Sequence, residues 1–309
     1  MIELKNDPHV LKISEALWQY GDKRKAAIMV GAGYSKNAKK KIENVDDFPS
    51  WDELACKIYK ELYPDKQNDH NFKLKKISGN NVLKLAQEYE SVFGNNELSN
   101  LIINNIPDEQ YEPGELHEKL LSLPWADIFT TNYDTLLERQ AERIFNIKYD
   151  IVKTINEIPL KSQPRIIKLH GSLPSTYPFI ITEEQYRRYP KDYSPFVNLV
   201  QESMIENTFC LIGFSGSDPN FLAWKGWVKD NLGKNAPNIY MIGLFDFNQS
   251  EKSYFDKSFI KLIDLSDYFP KDNYNSKKER INIAFNNFFN AIKENKPLDL
   301  RKWPILFKE

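Results

Sequence analysis

Only two cysteines, Cys56 and Cys210, occur in 309 residues, far apart and without a Cys-x-x-Cys pair. That arithmetic excludes a disulfide framework and a zinc site built from cysteines. An excess of charge of one sign is equally absent. Lysine and arginine number 42 against 43 aspartate and glutamate, a formal net charge of −1. Nothing in that balance calls for a nucleic-acid groove, and the lysine clusters at 36–41 and 73–76 read as solvated faces or loops. No apolar run approaches membrane-spanning length, and Met1-Ile2-Glu3-Leu4-Lys5 does not read as a signal peptide. A soluble, cytoplasmic protein is expected, with no membrane partner and no nucleic acid indicated. His70 and His117 have no partner at metal-ligand spacing, so both are expected at the surface or the edge of a core, and no metal is expected. Repeats and low-complexity tracts are missing too.

What the chain does have is length enough to bury a sizeable core, as one domain or one domain with an insert. Within it, four apolar segments spill into small or polar residues. They are Ile28-Met29-Val30-Gly31-Ala32-Gly33-Tyr34-Ser35, Ile128-Phe129-Thr130-Thr131-Asn132-Tyr133-Asp134, Arg165-Ile166-Ile167-Lys168-Leu169-His170-Gly171-Ser172 and Leu211-Ile212-Gly213-Phe214-Ser215-Gly216-Ser217-Asp218. In an open parallel sheet, ligands bind beyond the carboxyl ends of the strands. Four such endings therefore predict one shared rim, with His170 placed for acid or base work near neutral pH. Glycines directly after a strand allow close approach to a diphosphate. Lys36 stands where the dinucleotide fingerprint has its third glycine, which weakens a dehydrogenase reading.

In chain order, an amphipathic helix is expected over 8–20 with Leu11, Leu17 and Trp18 toward the core, then a strand at 26–30. Residues 39–123 change character. Helical spacing recurs at Trp51, Leu54, Ile58 and Leu62, and again at Val82, Leu85, Ala86, Tyr89 and Phe93, with shorter patterns at 97–103 and 115–121. This predicts a mostly helical insert, with Asn80, Asn95 and Asn104 in connectors. Strands follow at 126–130, 149–152, 165–170, 208–212, 239–244 and 259–263. They are interleaved with helices, the last over 281–292. The fold class expected is α/β, a Rossmann-like parallel sheet with helices on both faces. Thr135 with Glu138, and Thr182 with Gln185, read as capping boxes. Ser217 or Asp218 is expected to cap a helix that has Pro219 in its first turn. Asn132 is not needed for capping, and its amide can hold a ribose hydroxyl or a water. Asp134 can bond sugar hydroxyls or merely favour a helix start. The loop 173–178 is placed to cover a site.

Taken in order, Gly31-Ala32-Gly33-Tyr34-Ser35, Thr130-Thr131-Asn132-Tyr133-Asp134, Lys168-Leu169-His170-Gly171-Ser172 and Gly213-Phe214-Ser215 resemble the sirtuin-like domain, specifically its bacterial branch in anti-phage defence proteins. The resemblance runs from about Lys23 to Ile263. It implies that Gly31, Ala32, Gly33 and Ser35 bind the NAD diphosphate and that Asn132 and Asp134 lie at the nicotinamide ribose. It implies His170 as catalytic base with Asn132, and Gly213 and Ser215 near the adenosine ribose and phosphates. Asp218 fits the Ser-x-x-Asp pattern of the defence branch. Sirtuin deacylases carry a four-cysteine zinc module that this chain cannot build, and the helical insert stands in its place.

The resemblance implies an NAD hydrolase that releases nicotinamide and ADP-ribose, with NAD as substrate and no metal, acting as an NAD-depleting effector of abortive infection. Protein deacylation, ADP-ribosyl transfer and a non-catalytic NAD or ADP-ribose sensor are the alternatives. Since unregulated NAD hydrolysis would kill the host, control by homo-oligomerisation, a sensor domain or a partner protein is expected. The whole of 1–309 is expected to form one sirtuin-like domain with its insert, and 296–309 a tail or linker.

Overall fold

The computed structural model describes residues 3–18, 24–77 and 81–297. The expected tail from residue 298 on, Asn80, Lys23 and the end of the expected first helix at 19–20 lie outside the described residues. Seven parallel strands form the main sheet. In chain order they are β1 (Ala26–Val30), β4 (Asp127–Thr130), β5 (Asp150–Val152), β6 (Arg165–Lys168), β7 (Thr208–Ile212), β8 (Ile239–Gly243) and β9 (Ile260–Asp264). Two further strands, β2 (Lys39–Lys40) and β3 (Tyr111–Glu112), pair antiparallel as a separate ribbon.

The order across the main sheet is β5-β6-β4-β1-β7-β8-β9. β1 is central, with Ile28 opposite Ile128 on one side and Cys210 on the other. All five of its residues are buried, as a strand covered on both faces requires. One face packs under the helices Pro8–Trp18, Glu115–Leu121 and Lys277–Glu294, through a cluster that includes Leu17, Leu120, Phe285 and Phe289. The other packs under Glu183–Asp192, Ser194–Glu206 and Pro219–Leu232, through Tyr189, Phe196, Val200 and Trp224. The expected α/β sheet with helices on both faces is thus the observed architecture.

Between β1 and β4 the chain forms the helices Trp51–Leu62, His70–Ile77, Asn81–Phe93, Asn95–Asn105 and Glu115–Leu121. Several of them build a third cluster with Tyr133, Leu173, Phe179 and Ile181, so these helices pack on the loops that leave β4 and β6.

Local readings need correction. Leu11 is 44% exposed, because Val10, Ile13 and Leu17 are the residues of its helix that turn inward. Asn95 and Asn104 lie within a helix rather than in connectors. His117 is fully buried, not at an edge. It sits at the start of a helix, accepts the Gly114 N–H at 3.2 Å on Nδ1, and burial pushes its pKa down to about 3. Thr135 and Glu138 form no capping box. The Thr135 hydroxyl is drawn away to Asp108 Oδ2 at 2.6 Å, and Glu138 turns inward to Lys168 at 3.1 Å. Asp134 serves that helix start instead, accepting the Leu136 N–H at 3.2 Å. The Thr182–Gln185 box is present.

Candidate active site

The carboxyl ends of β1, β4, β6 and β7 are neighbours in the sheet, and the four segments singled out above all leave from them. β1 and β7 meet at the point where the strand order reverses, the place an open sheet offers to a ligand. There the two glycine turns interlock. Gly31 N–H donates to Ile212 O at 3.0 Å, and Gly33 N–H to Gly213 O at 2.9 Å. A Cβ on Gly31 would stand 2.5 Å from Gly213 O, and one on Gly213, at φ +61°, would stand 2.4 Å from Tyr34 N. Their amides being engaged, Gly31 and Gly33 contribute room for close backbone approach.

From β4 the chain delivers Asn132 and Asp134. Thr130 Oγ1 donates to Val30 O at 2.8 Å and accepts the Asn132 N–H at 3.1 Å, fixing the start of the turn against β1. Asn132 Nδ2 donates to Ser35 Oγ at 3.0 Å, and Ser35 Oγ donates to Asp134 Oδ2 at 2.7 Å. The structure thus joins three expected site residues in one chain of hydrogen bonds. All three are buried, and Asn132 Oδ1 has no partner. Desolvation raises the Asp134 pKa, against the opposing pull of Lys168. Ala32, Ser35, Asn132 and Asp134 share a cavity of about 60 Å³, walled on the far side by Phe48–Leu54. A groove of about 1300 Å³ adjoins it across Pro49 and Ile106.

β6 ends at Lys168, two residues before His170. Leu169 N–H still bonds Thr130 O at 2.9 Å, and the chain then turns at Gly171, φ +93°. His170 is completely buried. Its ring is edge-on to Tyr186 and Tyr189, with centroids 5.4 and 5.5 Å away. Nε2 lies 3.2 Å from Asn220 Nδ2, and Nδ1 has no partner. Burial lowers the pKa and nearby Asp218 partly offsets it, so the imidazole is held neutral.

Asp218 is the helix cap, accepting the Phe221 N–H at 3.0 Å on one carboxylate oxygen and the Tyr186 hydroxyl at 3.0 Å on the other. Ser215 stands apart. It is exposed, with its hydroxyl 2.6 Å from that of Ser217.

Sequence reasoning passed over Lys168 and Asn220. Lys168 is 1% exposed and donates to Asp134 O and Glu138 Oε1, and Glu138 Oε1 also accepts the Ser172 hydroxyl at 3.1 Å. The available signal was a lysine inside an apolar strand. Asn220 gave no signal, since a polar residue in the first turn of a helix is ordinary.

Residues 126–263 match the model of the SIR2-like domain. Over that stretch the chain is similar to the SIR2-like domain. The matched residues hold β4 to β9 and with them Asn132, Asp134, His170, Gly213 and Asp218, while β1 and its glycine turn precede them. Among curated proteins, the chain is 30% identical over 220 residues to "NAD(+) hydrolase ThsA" of Acinetobacter baumannii (strain 532279), covering 70% of this chain and 42% of that one. To the protein of the same name from Bacillus cereus (strain MSX-D12) it is 28% identical over 199 residues, 63% of this chain and 38% of that one. To "Defense-associated sirtuin 2" of Bacillus subtilis it is 23% identical over 230 residues, 72% of this chain and 21% of that one. The chain therefore spans less than half the length of each of these relatives. Among the described residues, no group of three or more His, Cys, Asp or Glu is arranged to hold a metal ion, and no helix is long and apolar enough to cross a membrane.

Proposed function

We propose that this chain hydrolyses the nicotinamide–ribose bond of NAD, giving nicotinamide and ADP-ribose, as an effector of anti-phage defence. The observation that carries the reading is the pair of orphaned buried polar atoms at adjacent strand ends, Asn132 Oδ1 and His170 Nδ1. Buried polar atoms without partners cost stability, and at one rim they are what a bound polar substrate or water would satisfy. The relatives' names supply the substrate.

The chemistry follows. The glycosidic C–N bond breaks and its electron pair discharges the pyridinium cation, leaving neutral nicotinamide. An oxocarbenium-like transition state develops at the ribose. Water oxygen bonds the anomeric carbon, and its proton passes to His170. Asn132 holds the water or the ribose hydroxyls. The buried, neutral imidazole is ready to accept a proton. Asp134, pushed toward its protonated form by burial, and Ser35 face the sugar, while Gly31, Ala32, Gly33, Gly213 and Ser215 pass the diphosphate and adenosine across the switch point. Asp218 acts on the site from behind His170, through Tyr186 and the helix it caps. The 60 Å³ cavity is far smaller than a dinucleotide site, typically about 300–1,000 Å³, so a bound dinucleotide must extend beyond it.

Residues 1–309 act as one domain with its helical insert at about 39–123, in the cytoplasm, and self-assembly or a sensor partner holds turnover in check. Chromatography of NAD reactions tests the central claim. Nicotinamide and ADP-ribose should appear one for one, and His170→Ala should lower the rate by about 10²–10⁴-fold, the worth of a positioned general base. Near wild-type turnover in that variant refutes the assignment. Transfer to a protein acceptor instead of free ADP-ribose would identify a transferase or deacylase, and binding without release a sensor. Light scattering on the eluting protein tests self-assembly, and a strict monomer under active conditions would count against it.

A further inference from the structure

We infer that Asn220 is the positioning residue for His170, its amide oxygen holding the Nε2–H so that Nδ1 is the nitrogen that takes the proton. This deepens the hydrolase reading and rests on it for its kinetic arm.

The geometry has two parts. Asn220 is 4% exposed and its amide lies against the ring, with Nδ2 3.2 Å from Nε2. Nδ1 is buried and has no partner. A neutral imidazole carries one proton and one lone pair, on different nitrogens. If the Asn220 amide nitrogen donates to Nε2, the ring proton sits on Nδ1 and no basic lone pair is free. If the amide oxygen accepts from Nε2–H, the lone pair at Nδ1 is free. The two amide orientations differ by a half-turn that exchanges oxygen and nitrogen in nearly the same positions. Only the second makes His170 a base. The same orientation suits the product of proton transfer, an imidazolium with an N–H at both nitrogens. Its Nε2–H then already has an acceptor inside a site where burial disfavours the charge.

The other groups facing His170 leave Asn220 this task. Tyr186 and Tyr189, from the helix Glu183–Asp192, meet the ring edge-on and spend their hydroxyls on Asp218 and on Leu169 O. Asp218 acts on the ring through space, its carboxylate taken up by the Phe221 amide and the Tyr186 hydroxyl. Asn220 is the second residue of the helix that Asp218 caps and Pro219 opens, so its backbone is fixed by the strongest local signals in that stretch.

The test is long-range nitrogen–proton NMR on histidine-labelled full chain, which reads the tautomer and pKa of each ring. With four histidines in the sequence, His170→Gln assigns the signal. The unaltered chain should show the Nε2–H form with a bare Nδ1. Asn220→Asp keeps an acceptor oxygen, and an acidic residue in the first helical turn favours folding. Its charge beside Nε2 should raise the His170 pKa by about 1–3 units, carrying the acid limb of kcat/KM upward with it. Asn220→Leu should lower kcat/KM about 10–100-fold, the scale of losing a partner that orients a catalytic imidazole. An Nδ1–H tautomer in the unaltered chain, or an unmoved His170 pKa in Asn220→Asp, overturns the inference. Absence of NAD turnover in the unaltered chain would bear on the hydrolase reading alone, since the NMR arm needs no substrate.

Discussion

Gly213 shows how much of the site depends on single atoms. Its φ of +61° lies in the left-handed region, and an added Cβ would come within 2.9 Å of three Tyr34 atoms, two of them backbone. Gly213→Ala should cost more than about 2 kcal/mol, from backbone strain and from prising the two turns apart, read as a lowered urea midpoint with an unchanged slope. Gly216, also at positive φ but with an added Cβ meeting nothing nearer than Met241 Sδ at 3.8 Å, should tolerate alanine better, at about 1 kcal/mol. Residue types at the rim were legible in the sequence because small and polar residues after apolar runs are rare enough to be noticed. Partners were not. Thr135 bonds Asp108, 27 positions away, and Asn220 meets His170 across 50. No local pattern encodes such pairs, and they decide which donors are free. The burial of His117 escaped for the same reason, since neither its helix nor its neighbours in sequence fix how deep it sits.

Among the elements, strands were the easiest to read. A fully buried parallel strand is an unbroken apolar run, and 26–30 and 208–212 were found with the limits they have in the structure. The strand read as ending on His170 stops at Lys168, and the chain then heads into its turn at Gly171. Lys168, on β6, grips the Asp134 carbonyl after β4 and Glu138 on the next helix, while Ser172, beyond His170, bonds the same carboxylate. This cluster ties the Asn132 turn to the His170 turn. Lys168→Met should cost about 3–5 kcal/mol, because it strands the Glu138 carboxylate in the interior. Adding Glu138→Leu should recover much of that loss. Denaturation of both single variants and the double variant gives the coupling, and additive effects would show that the pair does not bridge the turns.

The acid response belongs to the whole molecule. His117 is pushed down to about 3 and His170 is also lowered, both by burial. The unfolded chain binds protons at these histidines near pH 6.5 and the folded chain does not, so stability is full above that pH and falls as pH drops toward the folded values. For His117 alone the loss by pH 4 is on the order of 3 kcal/mol. His117→Gln should flatten the decline of melting temperature between pH 6.5 and 4, and an unaltered slope would place the burden on other groups.

The central place of β1 also sets the order in which the molecule can be made. Its neighbours are residues 127–130 and 208–212, so at about 5–20 residues per second of synthesis one edge of the first strand waits roughly ten to forty seconds for β7. Until then, that edge is open to other chains. The latch between Gly33 and Gly213 closes only when β7 has docked. A ribosome-bound fragment that ends before residue 208 would thus own every residue of the Ser35–Asn132–Asp134 chain and still lack the partner of its first glycine turn. The two-sided central strand makes completion of the rim wait on the synthesis of β7.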